Sequence, residues 1–311
     1  MLREQLRGEI VCTPTIRCAG LEDQLGGSMR IYGKLEFLQR TGTFKARGAL
    51  ATVRSLSEEQ RKAGVTAVSA GNHAIATAYA ARISGTTAKV VMTASANPYR
   101  VAASRGYGAE VVIVNDVHEA FRVADKIQTD EGRYFVHPFE GRQVALGTGT
   151  IGLELAEQIE APDAILIAVG GGGLIGGLGN AIKQLWPRTE VIGVEPEGAD
   201  SMSRSLAAGK PEAIDAVRTI ADSLGAPYAC PWSFKLCQDN IDRMVLVSDE
   251  QLRGAMGLLF QHMKIAVEPA CAATTAALLG PLAESLAGRR VLLVFCGSNI
   301  DWATFRSQVR D

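Results

Sequence analysis

A single lysine stands where a helix is expected to begin. Lys45 lies within residues 41–48 (TGTFKARG), and a helical pattern of apolar residues runs over residues 44–56. The Thr-x-Thr stretch before it offers hydroxyl groups that commonly cap the first turn of a helix. The positive end of a helix dipole disfavours a protonated amine, and a deprotonated amine can act as a nucleophile or a base. A solvated surface lysine is the alternative that this stretch leaves open.

A run of four glycines could hold a phosphate group. Residues 170–173 are all glycine, and they follow an apolar β-branched run and precede a helical pattern. Glycines leave their backbone amides bare, and the start of a helix attracts an anion. Gly171, Gly173 and Gly176 also satisfy G-x-G-x-x-G, and Glu195 ends the next strand pattern about 20 residues later. A nicotinamide dinucleotide site is therefore a second interpretation of this region.

Two further turns carry polar groups at the ends of strand patterns. Residues 69–73 (SAGNH) lie between a strand pattern and a helical pattern, where free backbone amides bind a carboxylate or a phosphate. Asn72 adds a side-chain amide that can donate to a ligand oxygen. Cys296 ends another strand pattern and could contact a ligand, although an inert buried thiol is the commoner alternative.

The elements that must position these groups alternate along the chain. Strands are predicted at residues 31–35, 67–69, 88–92, 110–114, 165–169, 190–194 and 291–295, and helices at residues 44–56, 73–84, 98–107, 117–128, 147–158, 175–185 and 249–263. This alternation predicts an α/β fold with mainly parallel sheets covered by helices. Ligands bind beyond the carboxyl ends of such strands, which is where the three turns fall.

Composition excludes several classes of function. The net charge is −1, hydrophobic residues make up 47% of the chain, and no basic stripe with interleaved aromatic residues is present. We therefore expect no nucleic-acid partner. No apolar run reaches the ~20 residues of a membrane helix, so no membrane association is expected. The six scattered cysteines predict reduced thiols and a cytoplasmic protein.

Taken in order, these clusters resemble the fold-type II pyridoxal-phosphate (PLP) enzymes, in particular the serine/threonine dehydratase (threonine ammonia-lyase) and serine racemase group. The resemblance covers nearly the whole chain. Besides the clusters above, it rests on Thr13-Pro14 and on residues 147–152 (GTGTIG), 193–196 (GVEP), 219–222 (TIAD) and 267–269 (VEP). It implies a tryptophan synthase β-like fold with two domains, the larger formed by residues 1–55 and 142–311 and the smaller by residues 56–141.

The resemblance also implies roles for individual residues. Lys45 would form the Schiff base with PLP and take the substrate's α-proton, with Phe44 packed beside the cofactor ring. The other implied cofactor contacts are Asn72 at the phenolic oxygen, Gly170, Gly171, Gly172, Gly173 and Leu174 at the phosphate, Glu268 near the cofactor and Cys296 at the pyridine nitrogen. The substrate carboxylate would bind the turn formed by Ser69, Ala70, Gly71, Asn72 and His73.

The implied reaction is removal of water and then ammonia from L-serine or L-threonine, which leaves a 2-oxo acid. Racemisation is a weaker alternative, because Ala70 stands where serine racemases place an acidic hydroxyl. Ser223, in the segment of residues 221–227 expected to face the substrate side chain, leaves open a specialised substrate such as 3-hydroxyaspartate, phenylserine or a hydroxyectoine-derived amino acid. A nicotinamide oxidoreductase is the remoter alternative.

Two further features follow from the resemblance alone. Relatives bind a divalent cation after the GVEP strand, which here implies a Mg²⁺ or similar site formed by Glu195, the Ala199 carbonyl and Ser201. Ser201 departs from the aspartate expected at the third position. Members of the group form homodimers, so a homodimer is expected here.

Overall fold

The computed structural model describes residues 2–27 and 29–309, and two separate sheets organise them. The strands are β1 (Thr15–Arg17), β2 (Arg30–Lys34), β3 (Val65–Val68), β4 (Ala88–Thr93), β5 (Glu110–Val114), β6 (Tyr134–Phe135), β7 (Ala164–Ala168), β8 (Glu190–Pro196), β9 (Arg243–Val247) and β10 (Arg290–Val294). The larger sheet has the order β1-β2-β10-β7-β8-β9, and the smaller has the order β5-β4-β3-β6.

Helices cover the two sheets. They are α1 (Leu2–Gln5), α2 (Ala19–Gln24), α3 (Lys45–Arg54), α4 (Glu58–Ala63), α5 (Asn72–Ile83), α6 (Pro98–Gly106), α7 (Val117–Glu131), α8 (Arg142–Gln158), α9 (Gly173–Leu185), α10 (Ser201–Ala208), α11 (Pro231–Asn240), α12 (Asp249–Leu258), α13 (Pro269–Leu279) and α14 (Trp302–Gln308). Within the described part of the chain, no helix combines the length and apolar content needed to cross a membrane.

Pairing in both sheets is parallel except at β1, which runs antiparallel to β2. All five residues of β7 are buried, as expected for a central strand covered on both faces. The predicted α/β fold with two mainly parallel sheets is therefore confirmed. The smaller sheet lies within residues 65–135, and the proposed domain boundaries after residues 55 and 141 stay a prediction.

The carboxyl ends of three strands lead into the turns that the sequence singled out. Strand β3 ends at Val68 just before the SAGNH turn, and β7 ends at Ala168 just before the glycine run. Strand β10 ends at Val294, two residues before Cys296. Because ligands bind beyond these ends in α/β sheets, the fold brings chemistry-bearing turns to the edges where a site is expected.

A cluster of fully buried charges fastens α3 to the larger domain. The Arg47 guanidinium on α3 contacts the Glu36 carboxylate at 2.8 Å and the Glu154 carboxylate of α8 at 2.6 Å. Lys34, the last residue of β2, contacts the second oxygen of Glu154 at 2.6 Å. Two cations therefore balance two carboxylates in a region without solvent, and each charge depends on its partners to offset desolvation.

Replacing Arg47 with leucine is expected to lower the free energy of unfolding by about 3–5 kcal/mol, because Glu36 would remain buried without a cation and Glu154 would keep only Lys34. Urea unfolding of the cofactor-loaded protein measures this change. Lys235→Ala is the matched control, since it removes an exposed ion pair with Asp239 and is expected to cost less than about 1 kcal/mol. Equal midpoints for the two variants would contradict the assignment.

Candidate active site

One large cavity, of about 800 Å³, opens between the two sheets' carboxyl ends. This volume lies within the range of roughly 300–1,000 Å³ that is typical of small-molecule sites. The cavity brings together all the residues assigned above to catalysis, cofactor and substrate carboxylate: Phe44, Lys45, Ser69, Ala70, Gly71, Asn72, His73, Gly170, Gly171, Gly172, Gly173, Leu174, Glu268 and Cys296. Residues more than 200 positions apart in the sequence thus share one site.

Lys45 is the first residue of α3, and its Nζ donates a hydrogen bond of 2.6 Å to the carbonyl oxygen of Pro138. Removal of this amine from bulk water lowers its pKa to about 8. The predicted threonine cap is wrong, because no side chain caps α3. The Thr43 hydroxyl instead donates to the carbonyl oxygen of Cys296 at 3.1 Å, which joins the lysine segment to the end of β10.

The glycine run leaves no room for side chains. Gly172 has a φ of +87°, in the left-handed region, and α9 begins at the next residue. A Cβ on Gly173 would lie 2.8 Å from the Cα of Phe139, and one on Gly171 would overlap the Phe139 ring. The bare amides at the start of the 13-residue helix α9 are a suitable cradle for a phosphate group.

The SAGNH turn presents the start of α5 to the cavity. Asn72 is fixed on both sides, since its Nδ2 donates to Glu268 at 2.7 Å and its Oδ1 accepts from Asn299 at 2.7 Å. The His73 ring donates to the carbonyl oxygen of Val136 at 2.7 Å, and burial lowers its pKa to about 3. The His73 ring is therefore neutral, and anion binding at this turn, which stays a prediction, would use its backbone amide rather than a charge.

Two buried side chains that can lose a proton, Glu268 and Cys296, also line the cavity. Burial raises the pKa of Glu268 to about 7, and its Oε2, which has no hydrogen-bond partner, lies 3.5 Å from the Arg100 guanidinium. The neighbouring thiol of Cys271 and burial raise the pKa of Cys296 well above its usual range. Cys296 therefore presents a neutral thiol to the cavity, and its contact with the ring nitrogen of the cofactor stays a prediction.

Comparison with known proteins identifies the family. Residues 6–297 match the family described as pyridoxal-phosphate dependent enzyme. The chain belongs to this family. It is 50% identical to the phenylserine dehydratase of Ralstonia pickettii over 304 residues, covering 98% of this chain and 93% of that protein. It is 40% identical to an L-threonine ammonia-lyase of Thermotoga maritima over 282 residues, covering 90% and 69% of the two chains.

A solved structure agrees with this assignment. The maize serine racemase structure superposes with a TM-score of 0.91 at 30% identity, covering 98% of this chain and 95% of that one. The resemblance drawn from the sequence is thereby confirmed, together with the fold-type II architecture and the PLP cofactor. The cavity of this PLP enzyme fits the group, because an amine for the aldehyde and a glycine cradle for the phosphate line the same space.

Sequence reasoning missed the segment that connects β6 to α8. The Pro138 carbonyl orients the Lys45 amine, and the Val136 carbonyl holds the His73 ring. Phe139 lies against the glycine run. The sequence signal was weak, namely a proline and an aromatic residue shortly before a predicted helix. Two of these contacts are made by backbone carbonyls, which almost any residue type supplies, so the residue types in this segment do not reveal them.

The residues assigned to a cation are engaged with the protein itself. Both oxygens of Glu195 accept backbone hydrogen bonds of 2.8–2.9 Å at the start of α10, and the Ser201 hydroxyl donates to the carbonyl of Ala226. No cluster of three or more His, Cys, Asp or Glu able to hold a metal is found within residues 2–27 and 29–309. Metal binding at Glu195, Ala199 and Ser201 stays a prediction. The same contacts leave Glu195 unavailable as a ribose ligand.

Substituting Gly173 with alanine is expected to weaken PLP binding at least tenfold, because the new Cβ would displace the Phe139 backbone from the cradle. Titration of the cofactor-free protein with PLP, followed by absorbance, measures the dissociation constant. Gly254→Ala is the control, since a Cβ at this helical position meets nothing within 4 Å. Unchanged PLP affinity in Gly173→Ala would show that the phosphate binds elsewhere.

The lowered pKa of Lys45 makes a prediction about cofactor capture, because only the deprotonated amine reacts with an aldehyde. The capture rate of the cofactor-free protein should rise with pH up to about 8 and then level off. The rate for Nα-acetyl-lysine, whose pKa is ~10.4, should continue to rise above pH 8. Stopped-flow absorbance measures both profiles, and parallel curves would show that burial does not lower the pKa.

Proposed function

We propose that this PLP enzyme removes water and ammonia from β-hydroxy amino acids such as L-serine or L-threonine, leaving a 2-oxo acid. The observation that carries this proposal is the position of the Lys45 amine in the cavity that the glycine cradle also lines. Bound PLP supplies the electron-withdrawing group that makes an amino acid's α-hydrogen acidic. The protein's own residues must bind the substrate, orient it and move the proton.

Lys45 is the group suited to move the α-proton. Its pKa of about 8 lies near neutral pH, where a catalytic base works best. The two cavity histidines are poor alternatives, because burial lowers the pKa of His73 to about 3 and that of His137 to about 4. Their ring nitrogens are also engaged, His137 Nδ1 accepting from the Glu140 backbone at 2.9 Å. We assign Lys45 the role of base.

The start of α5 is the proposed site for the substrate carboxylate. The first backbone amides of this 12-residue helix have no hydrogen-bond partner within the helix. The helix dipole also favours negative charge at this end. The Asn72 side-chain amide at the same turn already donates to Glu268 and to Ser223, so the backbone amides of the turn are the donors that we assign to the carboxylate. This arrangement would hold the α-carbon within reach of Lys45.

Elimination is favoured over racemisation by two side chains. Inversion at the α-carbon needs an acid on the face opposite the lysine, and Ala70 carries no exchangeable proton. The neutral Cys296 thiol does not favour a protonated ring nitrogen, so a carbanion is less stabilised and loss of the β-substituent competes better. The names of two similar proteins, a phenylserine dehydratase and an L-threonine ammonia-lyase, support the same reaction. The first of these names also favours phenylserine among the specialised substrates that the sequence left open.

Several finer assignments remain proposals from the resemblance. We propose a homodimer and a cytoplasmic location, the latter in keeping with six cysteines that are all free. We also propose that residues 1–55 and 142–311 form the larger domain and residues 56–141 the smaller. Residues 222–227 line the cavity near the expected substrate side chain, although the Ser223 hydroxyl accepts a hydrogen bond from Asn72 at 3.2 Å.

Replacing Lys45 with alanine is expected to lower turnover at least about a thousandfold and to abolish the absorbance of covalently bound PLP, because the reacting amine is lost. The assay follows both 2-oxo acid and D-amino acid from L-serine and L-threonine. Lys62→Ala, which removes an exposed amine, is the matched control. D-amino acid as the main wild-type product would refute the elimination assignment.

A further inference from the structure

Four large apolar side chains stand half-exposed around the active-site cavity. Val117 and Phe121, at positions i and i+4 of α7, are 50% and 44% exposed and lie on one face of the helix. Val217 and Tyr228, from the larger domain, are 38% and 37% exposed. All four line the cavity. Isolated exposed apolar residues are ordinary, but a group converging on one concave site marks a binding surface.

The aromatic part of this group continues into the cofactor cradle. The Tyr228 ring meets the Phe139 ring edge-on at 6.5 Å, and Phe139 lies against Gly171 and Gly173. His137 packs on the other side of Phe139 at 4.6 Å, also edge-on. An unbroken aromatic wall therefore runs from the glycine run to the half-exposed side chains. A further ring placed at its end would gain the same edge-to-face contacts.

The charges around the cavity disfavour an acidic side chain. Among the described residues that line it, the lysine and arginine cations are Lys45 and Arg100. Arg100 is bonded to the Asp222 carboxylate and donates to the Asn299 carbonyl at 3.2 Å, so its guanidinium is already engaged. A substrate β-carboxylate would share the cavity with Asp222 and Asp116, and neither lining cation is free to pair with it, because Arg100 is engaged and Lys45 is assigned to the reaction.

We propose that Val117, Phe121, Val217 and Tyr228 form a subsite for an aryl group on the β-carbon, and that β-aryl-β-hydroxy amino acids are the preferred substrate class. This inference rests on the proposed dehydration and names its substrate. Val117 and Phe121 stand on α7, and Val217 and Tyr228 come from the part of the chain that carries the larger sheet, and all four line the same cavity. An aryl group would bury more apolar surface against these side chains than the methyl group of threonine.

The test compares kcat/KM of the holoenzyme for L-threo-phenylserine and L-threonine by 2-oxo acid release. The phenylserine-to-threonine ratio should fall at least tenfold in Phe121→Ala and recover most of its value in Phe121→Leu, which keeps an apolar side chain. Tyr228→Phe should retain the ratio, because the ring rather than the hydroxyl makes the contact. Tyr99→Ala is the matched control, since Tyr99 is a 47% exposed aromatic residue on α6 away from the cavity.

A second measurement does not depend on turnover. L-Phenylalanine and L-alanine carry no β-hydroxyl group, and their dissociation constants from the holoenzyme can be obtained by calorimetry. Wild type should bind L-phenylalanine more tightly than L-alanine, and Phe121→Ala should reduce this preference at least tenfold.

The outcomes separate the two proposals. If wild type dehydrates threonine but Phe121→Ala leaves the phenylserine ratio within twofold, or Tyr99→Ala lowers it equally, the aryl subsite is refuted and the dehydratase stands. If wild type releases 2-oxo acid from neither substrate, the dehydratase proposal fails. The binding preference for L-phenylalanine then decides the subsite alone, and its absence in wild type would overturn it.

Discussion

The constraint on which this active site depends is the fixed start of helix α3. Lys45 is its first residue, and Arg47, two positions later, is bound to two buried carboxylates from separate parts of the large domain. A shift of the helix along or about its axis would separate Arg47 from these carboxylates. It would leave buried charges unpaired, which costs several kcal/mol of stability, roughly 3–5 for a broken buried pair. The position of the Lys45 amine therefore depends on a cluster of ion pairs whose residues do not line the cavity.

A second constraint acts from the small domain. Three groups within four residues of the segment after β6, namely the Val136 carbonyl, the Pro138 carbonyl and the Phe139 ring, contact α5, Lys45 and the glycine run in turn. These contacts tie the segment that follows the smaller sheet to the residues that line the cavity. The glycine run, the start of α5 and Lys45 are therefore all held by one short stretch of chain, which lowers the conformational entropy lost in ordering these groups together.

The sequence predicted much of this and missed the rest for physical reasons. The strand predicted at residues 110–114 coincides with β5, a short β-branched apolar run, and the helix predicted at residues 117–128 begins where α7 begins, because apolar residues recur at helical spacing along α7. The predicted helix ends three residues before α7 does. Strands β1 and β6, of three and two residues, are too short to show a period. The helix predicted at residues 249–263 ends at Leu258, and a π-helical turn over Leu259–Met263 follows. The partners of Asn72 lie about 200 residues away, and no local pattern reports them.

The electrostatics of the cavity favour neutral partners, and this bears on its chemistry. Burial holds Cys296 and both histidines neutral, and it brings the pKa of Glu268 to about 7 and that of the Lys45 amine to about 8, so Glu268 and Lys45 are the two groups that exchange protons near neutral pH. With PLP bound, surroundings of this kind would add little to the stabilisation of negative charge at the α-carbon, so a substrate that can expel a β-substituent at once would have the advantage over one that must be reprotonated. Under the proposed function, an aryl group on the β-carbon would add to that advantage through conjugation with the developing double bond. The proposed subsite and this reactivity would then favour the same class of molecule.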